Sequence, residues 1–218
     1  NGCFSGDQTL CQYVIRRDNL PNGVIDRVEN LFINLANQKI SGIDLEVNYR
    51  RSINLFGGGA EGLGWRLYAT KLSENSTQNP GAARDERLGQ LAGGFSLPEY
   101  KFTTNLAYTN GPYSAFLQGR YIGDGKLDRL RTESAVAIAG VATIDDNTVG
   151  SVFYTDLTLG YRVESLGDFA VSFNVTNLFD RWPPLAPGVM GRTGTTEFNS
   201  ALHDVVGRRY ALGVNYRF

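Results

Sequence analysis

His203 is the only histidine among the 218 residues, so a Ser-His-Asp triad or an imidazole metal site would have to run through it. It falls in the long segment 176–206 without a nucleophile signature beside it, and is expected to be a solvated loop residue. The two cysteines, Cys3 and Cys11, lie close together with Gly6 between them to turn the chain, and no third cysteine or nearby histidine completes a metal site. They read as a local disulfide of an oxidising compartment, which includes the periplasm and the cell surface; the other reading is a pair of free thiols in the cytosol. Gly57-Gly58-Gly59 has neither the lysine nor the strand-to-helix setting of a phosphate cradle and reads as a turn. Gly123-Asp124-Gly125 opens as a calcium loop would, but the periodic acids that would complete one are missing. No catalytic residue, metal site or cofactor is therefore expected.

What remains is a set of charges. Asp44, Glu46, Arg50, Arg66, Arg120, Asp156, Arg162, Arg209 and Arg217 each sit in a segment that alternates apolar and polar residues, on its polar side. Because successive side chains of a strand point to opposite faces, such a segment is a strand with one oily and one wet surface. In 207–218 the oily face is Tyr210, Leu212, Val214, Tyr216 and Phe218, and the wet face is Arg209, Ala211, Gly213, Asn215 and Arg217. The arginines are expected to pair with carboxylates such as Asp44, Glu46 and Asp156, since an unpaired inward charge is costly where it is partly dry.

The elements that position these charges repeat one design. Residues 43–50 alternate strictly; 63–72 set Trp65, Leu67 and Ala69 against Arg66, Tyr68 and Thr70; 100–108 keep Phe102, Thr104, Leu106 and Tyr108 in phase. In 113–121 Ala115 and Leu117 oppose Ser114, Gln118 and Arg120, in 153–163 Leu157, Leu159 and Tyr161 oppose Asp156, Thr158 and Arg162, and 169–175 alternate throughout. With the terminal run these are seven strands, and no helical period competes. Upstream, 13–16 and 24–28 read as a hairpin about Leu20-Pro21-Asn22-Gly23. The connections trade lengths at every turn: short at 51–62, 110–112 and 164–168, long at 73–99, 122–151 and 176–206. Three such long loops would count against a compact soluble domain, whereas an antiparallel membrane barrel has tight turns at one rim and extended loops at the other.

Composition agrees with this. No window approaches the roughly 18 uncharged apolar residues of a spanning helix, which says nothing against strands of about 9 to 11 residues. With 21 basic and 22 acidic residues there is no electrostatic case for nucleic acid. Asn1-Gly2-Cys3 carries neither a basic n-region nor an apolar h-region, so a mature or truncated species is expected.

Particular motifs now support a family resemblance. Gly42-Ile43-Asp44-Leu45-Glu46, Pro98-Glu99-Tyr100-Lys101, Arg120-Tyr121-Ile122-Gly123, Tyr154-Thr155-Asp156-Leu157, Val175-Thr176-Asn177-Leu178-Phe179-Asp180 and Gly207-Arg208-Arg209-Tyr210 follow in order. From about Lys39 to Phe218 the chain resembles the C-terminal portion of a TonB-dependent outer-membrane receptor, departing from it at Val206, where a proline is often found.

The resemblance implies an all-β fold, an antiparallel transmembrane β-barrel of which this is a segment of about seven spanning strands. Residues 1–38 would be an extracellular loop with a hairpin and the Cys3–Cys11 bridge, and 39–218 the barrel strands. The wet-face charges would line the lumen or touch a plug, and Asn177 and Asp180 are expected to be turn residues without a ligand role. Tyr210, Leu212, Val214, Tyr216 and Phe218 would form the signal read by the barrel-assembly machinery. Further partners implied are outer-membrane lipid, a small-molecule substrate of siderophore, cobalamin or oligosaccharide class, and the TonB complex, reached through an N-terminal plug region expected to lie outside this chain. Two other readings compete: a small barrel of about eight strands acting as anchor or adhesin, and a secreted β-sandwich, whose oily faces would have to be buried against a second sheet.

Overall fold

The alternating runs are strands, and they pair in chain order. A computed structural model describes residues 11–17, 23–29, 37–57, 61–79, 83–95, 97–163, 169–187 and 197–216. The expected hairpin is present as Val14–Arg16 (β1) and Ile25–Val28 (β2), antiparallel with Val14 opposite Val28. Then come Asn37–Ile53 (β3), Glu61–Gln78 (β4), the short Asp85–Glu86 (β5), Tyr100–Asn110 (β6) and Tyr113–Ile122 (β7). Four two-residue strands follow: Gly125–Lys126 (β8), Thr132–Glu133 (β9), Thr143–Ile144 (β10) and Thr148–Val149 (β11). Val152–Val163 (β12), Phe169–Thr176 (β13) and Arg209–Asn215 (β14) complete the order. One sheet runs β14-β13-β12-β7-β6-β4-β3, with β5 added to β4. The chain divides into two compact units, Asn1–Lys39 with Ser76–Asp85, and Ile40–Asn75 with Glu86–Phe218. The hairpin belongs to the first and the sheet almost wholly to the second.

Register turns seven separate patterns into two continuous surfaces, because residues opposite one another in an antiparallel pair share a face. Trp65, Leu106, Leu117, Leu157, Val175 and Tyr210 form one row across β4, β6, β7, β12, β13 and β14. The next apolar row is Leu63, Tyr108, Ala115, Leu159, Phe173 and Leu212. Polar groups on this face are few: Trp65 Nε1 donates to Thr104 Oγ1 at 2.9 Å, and Thr155, in the row of Thr104, is buried.

Aromatic pairs stand at both ends of the band, and Phe173 stacks on Tyr210 at 6.2 Å between them. Phe102 stacks on Tyr121 with ring centroids 5.0 Å apart near the long loops, and Tyr113 meets Tyr161 at 5.0 Å near the short turns. The face stays open, with Leu212 at 71% and Leu159 at 44% exposure, and no second sheet covers it among the described residues. That is opposite to what a β-sandwich requires.

Two strands are longer than alternation predicts. β3 and β4 run for 17 and 18 residues, because the polar stretch Ser73–Gln78 continues the ladder although it has no oily phase to signal a strand. Ser41 Oγ and Ser73 Oγ lie 3.0 Å apart there, and Glu86 Oε1 accepts from the Asn75 amide at 3.0 Å. Where both faces are wet, a strand carries no period-two hydrophobic mark. The expected loop 73–99 therefore begins later than the pattern says.

Candidate functional site

The polar face of the sheet holds most of the predicted charges. Asp44, Glu46 and Arg50 stand on β3, Arg66 on β4, Arg120 on β7, Asp156 and Arg162 on β12, and Arg209 on β14. Register places Arg66 opposite Asn105, Asn105 opposite Gln118 and Gln118 opposite Asp156 in a single row. Arg217, Phe218 and Cys3 lie outside the described residues, as does the Cys3–Cys11 pairing, although Cys11 is described. Tyr210, Leu212 and Val214 share the apolar face with Val175, Phe173 and Val171, and Tyr216, just past β14, is 56% exposed.

The pairing of these arginines with Asp44, Glu46 and Asp156 is not what forms. Asp44 Oδ1 accepts from Thr70 Oγ1 at 2.7 Å, Glu46 Oε1 from Asn48 Nδ2 at 2.7 Å, and Asp156 Oδ1 from the Asn177 amide at 2.8 Å. Arg66 Nε donates to Asn48 Oδ1 at 2.6 Å, and the Arg120 guanidinium lies over the Tyr154 ring at 5.4 Å. Arg209 does pair with a carboxylate, but with that of the loop residue Asp204, at 3.3 Å. The reason is the offset between strands. It sets a hydroxyl beside Asp44 and an amide beside Arg66, and neutral partners satisfy both charges without close ion pairs.

At the long-loop end the connections form a packed cap. Leu91, Ala92, Val149 and Ala186 are fully buried together, with Leu127 and Leu202 against them. Two amides hold the cap. Asn147, 1% exposed, accepts from the Asp128 amide at 2.9 Å and donates to the Asp128 carbonyl at 2.9 Å. Asn199 Nδ2 donates to the carbonyls of Leu91 at 2.9 Å and Phe95 at 2.8 Å, joining segments far apart in sequence. Gly123-Asp124-Gly125 belongs to this cap, as a backbone crossing: Lys126 N donates to Gly89 O at 2.7 Å and Leu91 N to Lys126 O at 2.9 Å. Beyond the cap, Leu130, Val136, Ile138 and Val141 remain exposed on the loop between β8 and β11.

The Asn177 to Asp180 turn behaves as a turn signal. Both residues have positive φ, 53° and 52°, a region short polar side chains tolerate. Asn177 is fully buried, and its side chain donates to Arg181 O at 3.0 Å and accepts from Arg181 N at 2.9 Å. Asp180 Oδ1 accepts from Arg208 N at 2.9 Å, tying this turn to the entry of β14. At the opposite end Glu61, 3% exposed, accepts from the amides of Leu55 and Phe56 at 2.9 and 2.8 Å. Glu61 carried no sequence signal: alternation left it in the connection 51–62, whereas β4 begins with it.

His203 departs from expectation. It is 4% exposed, and neither ring nitrogen has a hydrogen-bond partner among the described residues. Its neighbour Leu202 packs on Ile122, Val152 and Tyr154, which draws the imidazole inside with it. Burial pushes its pKa down from 6.5 to about 4, so the folded loop favours the neutral ring. An opened loop takes up a proton near pH 6.5 that the closed loop refuses until about pH 4. The stabilisation is thus full above pH 6.5 and lost as pH falls through about 4, worth about 3 kcal/mol. Hydrogen exchange of amides 198–206 should be protected at pH 7.5 and faster at pH 4.5 once corrected for intrinsic rates, and His203→Phe should remove the difference. Equal corrected protection in the parent at both pH values would refute it.

Comparison with known proteins adds one match. The family model of TonB-dependent receptor-like β-barrels matches residues 12–178, which takes in β1 to β13 and leaves out β14. No curated protein and no solved structure matches the chain.

Proposed function

The chain belongs to the TonB-dependent receptor β-barrel family, and from that premise we propose that it is the C-terminal wall of a receptor that carries a scarce substrate into the periplasm with TonB-coupled energy. Membership gives an outer-membrane receptor and transporter of Gram-negative type, in a family of transporters and not of enzymes. The observation that supports the particular reading most is the exposed, largely apolar face of the sheet, with aromatic pairs at both ends and every long connection between its strands at one rim. A membrane barrel combines those features, with short turns on the periplasmic side and extended loops outside. The polar face would then be the lumen, carrying Asp44, Glu46, Arg50, Arg66, Arg120, Asp156, Arg162, Arg209 and Arg217.

β3 and β14 each have one neighbour in the main sheet order. Open strand edges are not tolerated in hydrocarbon, so further strands would complete the wall, together with a plug and an energy-coupling segment that meets TonB. Siderophores, cobalamin and oligosaccharides are the substrate classes to test. Loss of the gene should abolish uptake of one class, and loss of TonB function should do the same. Uptake that persists without TonB would sink the coupling. Phe218 with the alternate residues before it is proposed as the assembly signal.

The Cys3–Cys11 bridge belongs to the same reading, since a loop outside the cell is oxidised. Intact mass should rise by two hydrogens on reduction, and alkylation without reductant should fail. Two thiols alkylated in the unreduced protein would exclude the bridge.

A further inference from the structure

We propose that a hollow on the polar face, between β3, β4, β6 and β7, binds a carboxylate carried on an apolar group. It encloses about 280 Å³ and is lined by Asn48, Arg50, Gly64, Arg66, Asn105, Ala107 and Phe116 among others. Gly64 and Ala107 lie opposite each other and give it depth, since neither projects a side chain beyond a methyl.

The polar atoms around the hollow are sorted by their neighbours. Asn48 Oδ1 is held by Arg66 Nε at 2.6 Å, and Asn105 Oδ1 by Gln118 Nε2 at 2.9 Å. Both amide oxygens are therefore engaged. Among the lining residues the donors left without a hydrogen-bond acceptor are the two terminal nitrogens of Arg66, whose guanidinium also lies 5.8 Å from the Tyr68 ring centroid, the Arg50 guanidinium and the Asn105 amide nitrogen. Fixing Arg66 through Nε pre-orients the remaining fork, which matches the two oxygens of a carboxylate. Among the described residues neither guanidinium meets a carboxylate, and Glu46, the nearest acid along β3, is turned onto Asn48 at 2.7 Å.

The apolar half of the specificity comes from Phe116. It stands in the polar phase of β7, opposite Ala107 and Thr158, and is 39% exposed. A ring there, beside a wall rich in donors, favours an anion with an apolar body over a fully hydrated one. The chemistry is the same whether the carboxylate is on a free solute or on an acidic side chain of a polypeptide segment inside the barrel. The inference rests on the polar face lining the barrel interior, as proposed above.

The test uses the full-length receptor purified from outer membrane, titrated calorimetrically with benzoate and with benzamide as the neutral counterpart. Benzoate should bind and benzamide should not. Arg50→Gln and Arg66→Gln should each weaken benzoate about tenfold, Arg66→Lys less, and Phe116→Ala severalfold. Arg50 is exposed, so Arg50→Gln should leave outer-membrane yield unchanged and keeps the test independent of folding.

A photo-cross-linking amino acid at position 116 separates the sources. Capture of an acidic segment of the same polypeptide, with benzoate excluded and capture reduced by Arg66→Gln, assigns the carboxylate to the protein. Benzoate binding without such capture assigns it to a solute. Benzamide binding as well as benzoate, or neither compound binding and no acidic segment captured, would overturn the proposal. Leu212→Arg against Ala211→Arg tests the face assignment separately. If that ranking holds and no carboxylate binds, the site alone falls.

Discussion

Leu212→Arg should destabilise the assembled wall by about 2 to 4 kcal/mol and deplete the receptor from the outer membrane, while Ala211→Arg, one residue away, should cost far less. Leu212 is opposite Phe173, and its row continues through Leu159 and Ala115, so its side chain is on the face proposed to meet lipid. Ala211 is opposite Asn174, whose amide donates to Thr158 Oγ1 at 2.7 Å. An arginine there has a polar surface to lie on. Val214 carries the same apolar phase as Leu212, but its row runs through Val171 and Tyr161 to Tyr113. That row is the tyrosine belt near the short turns, where a cation reaches the headgroups, and Val214→Arg should cost only about 0 to 1 kcal/mol. Because the period is two, a register error of one residue would invert the ranking of 211 and 212. Outer-membrane yield and the urea midpoint in vesicles for the three variants decide it. Equal losses for Leu212→Arg and Ala211→Arg would remove the lipid-facing assignment.

The wall was legible in the sequence because each strand of it separates two environments, and such a strand writes its orientation into alternate residues. Phe169–Thr176 and Arg209–Asn215 are read directly from that alternation, and their pairing follows from a meander of alternating short and long connections. Partners across strands were not legible. Whether Arg66 meets Asp44 or Asn48 depends on the offset of β4 against β3, which alternation leaves free. Phe116 was passed over for a different reason: period two already puts it in phase with Ser114 and Gln118, but between Ala115 and Leu117 it reads as part of an oily run, and register then sets it opposite Ala107 and Thr158. The cap left least trace of all. Its core is Leu91, Ala92, Val149 and Ala186, single apolar residues drawn from three loops, and its clamps Asn147 and Asn199 look like any loop amide until their carbonyl partners are known. His203 followed the cap inside, since nothing local marked its segment as packed.

That contrast predicts a separable lesion. Gly125→Val should open the cap and spare the wall. A Cβ on Gly125 would run into the Gly89 carbonyl oxygen and lie 2.8 and 2.9 Å from Leu91 Cγ and Cδ1. The first is backbone and the second belongs to a fully buried side chain, so neither can yield without moving its segment. Moving them breaks the bonds that join Gly89, Leu91 and Lys126, and then the hold of Asn199 on the Leu91 carbonyl. Exposing Leu91 alone costs about 1.5 to 3 kcal/mol, and each lost hydrogen bond about 1 more. The cap should therefore lose several kcal/mol of local stability. No strand of the wall has to shift, because β7 ends at Ile122 and β12 begins at Val152. Gly150→Val is the matched control, since nothing lies within 4 Å of a Cβ there. Outer-membrane yield should be close to the parent's for both variants. Amides 88–98 and 125–149 should lose protection from exchange in Gly125→Val alone, and substrate uptake should fall at least tenfold in that variant. A Gly125→Val receptor with parental protection in both segments would show that the three loops do not stand or fall together, and a loss of yield matching that of Leu212→Arg would show that cap and wall are one folding unit.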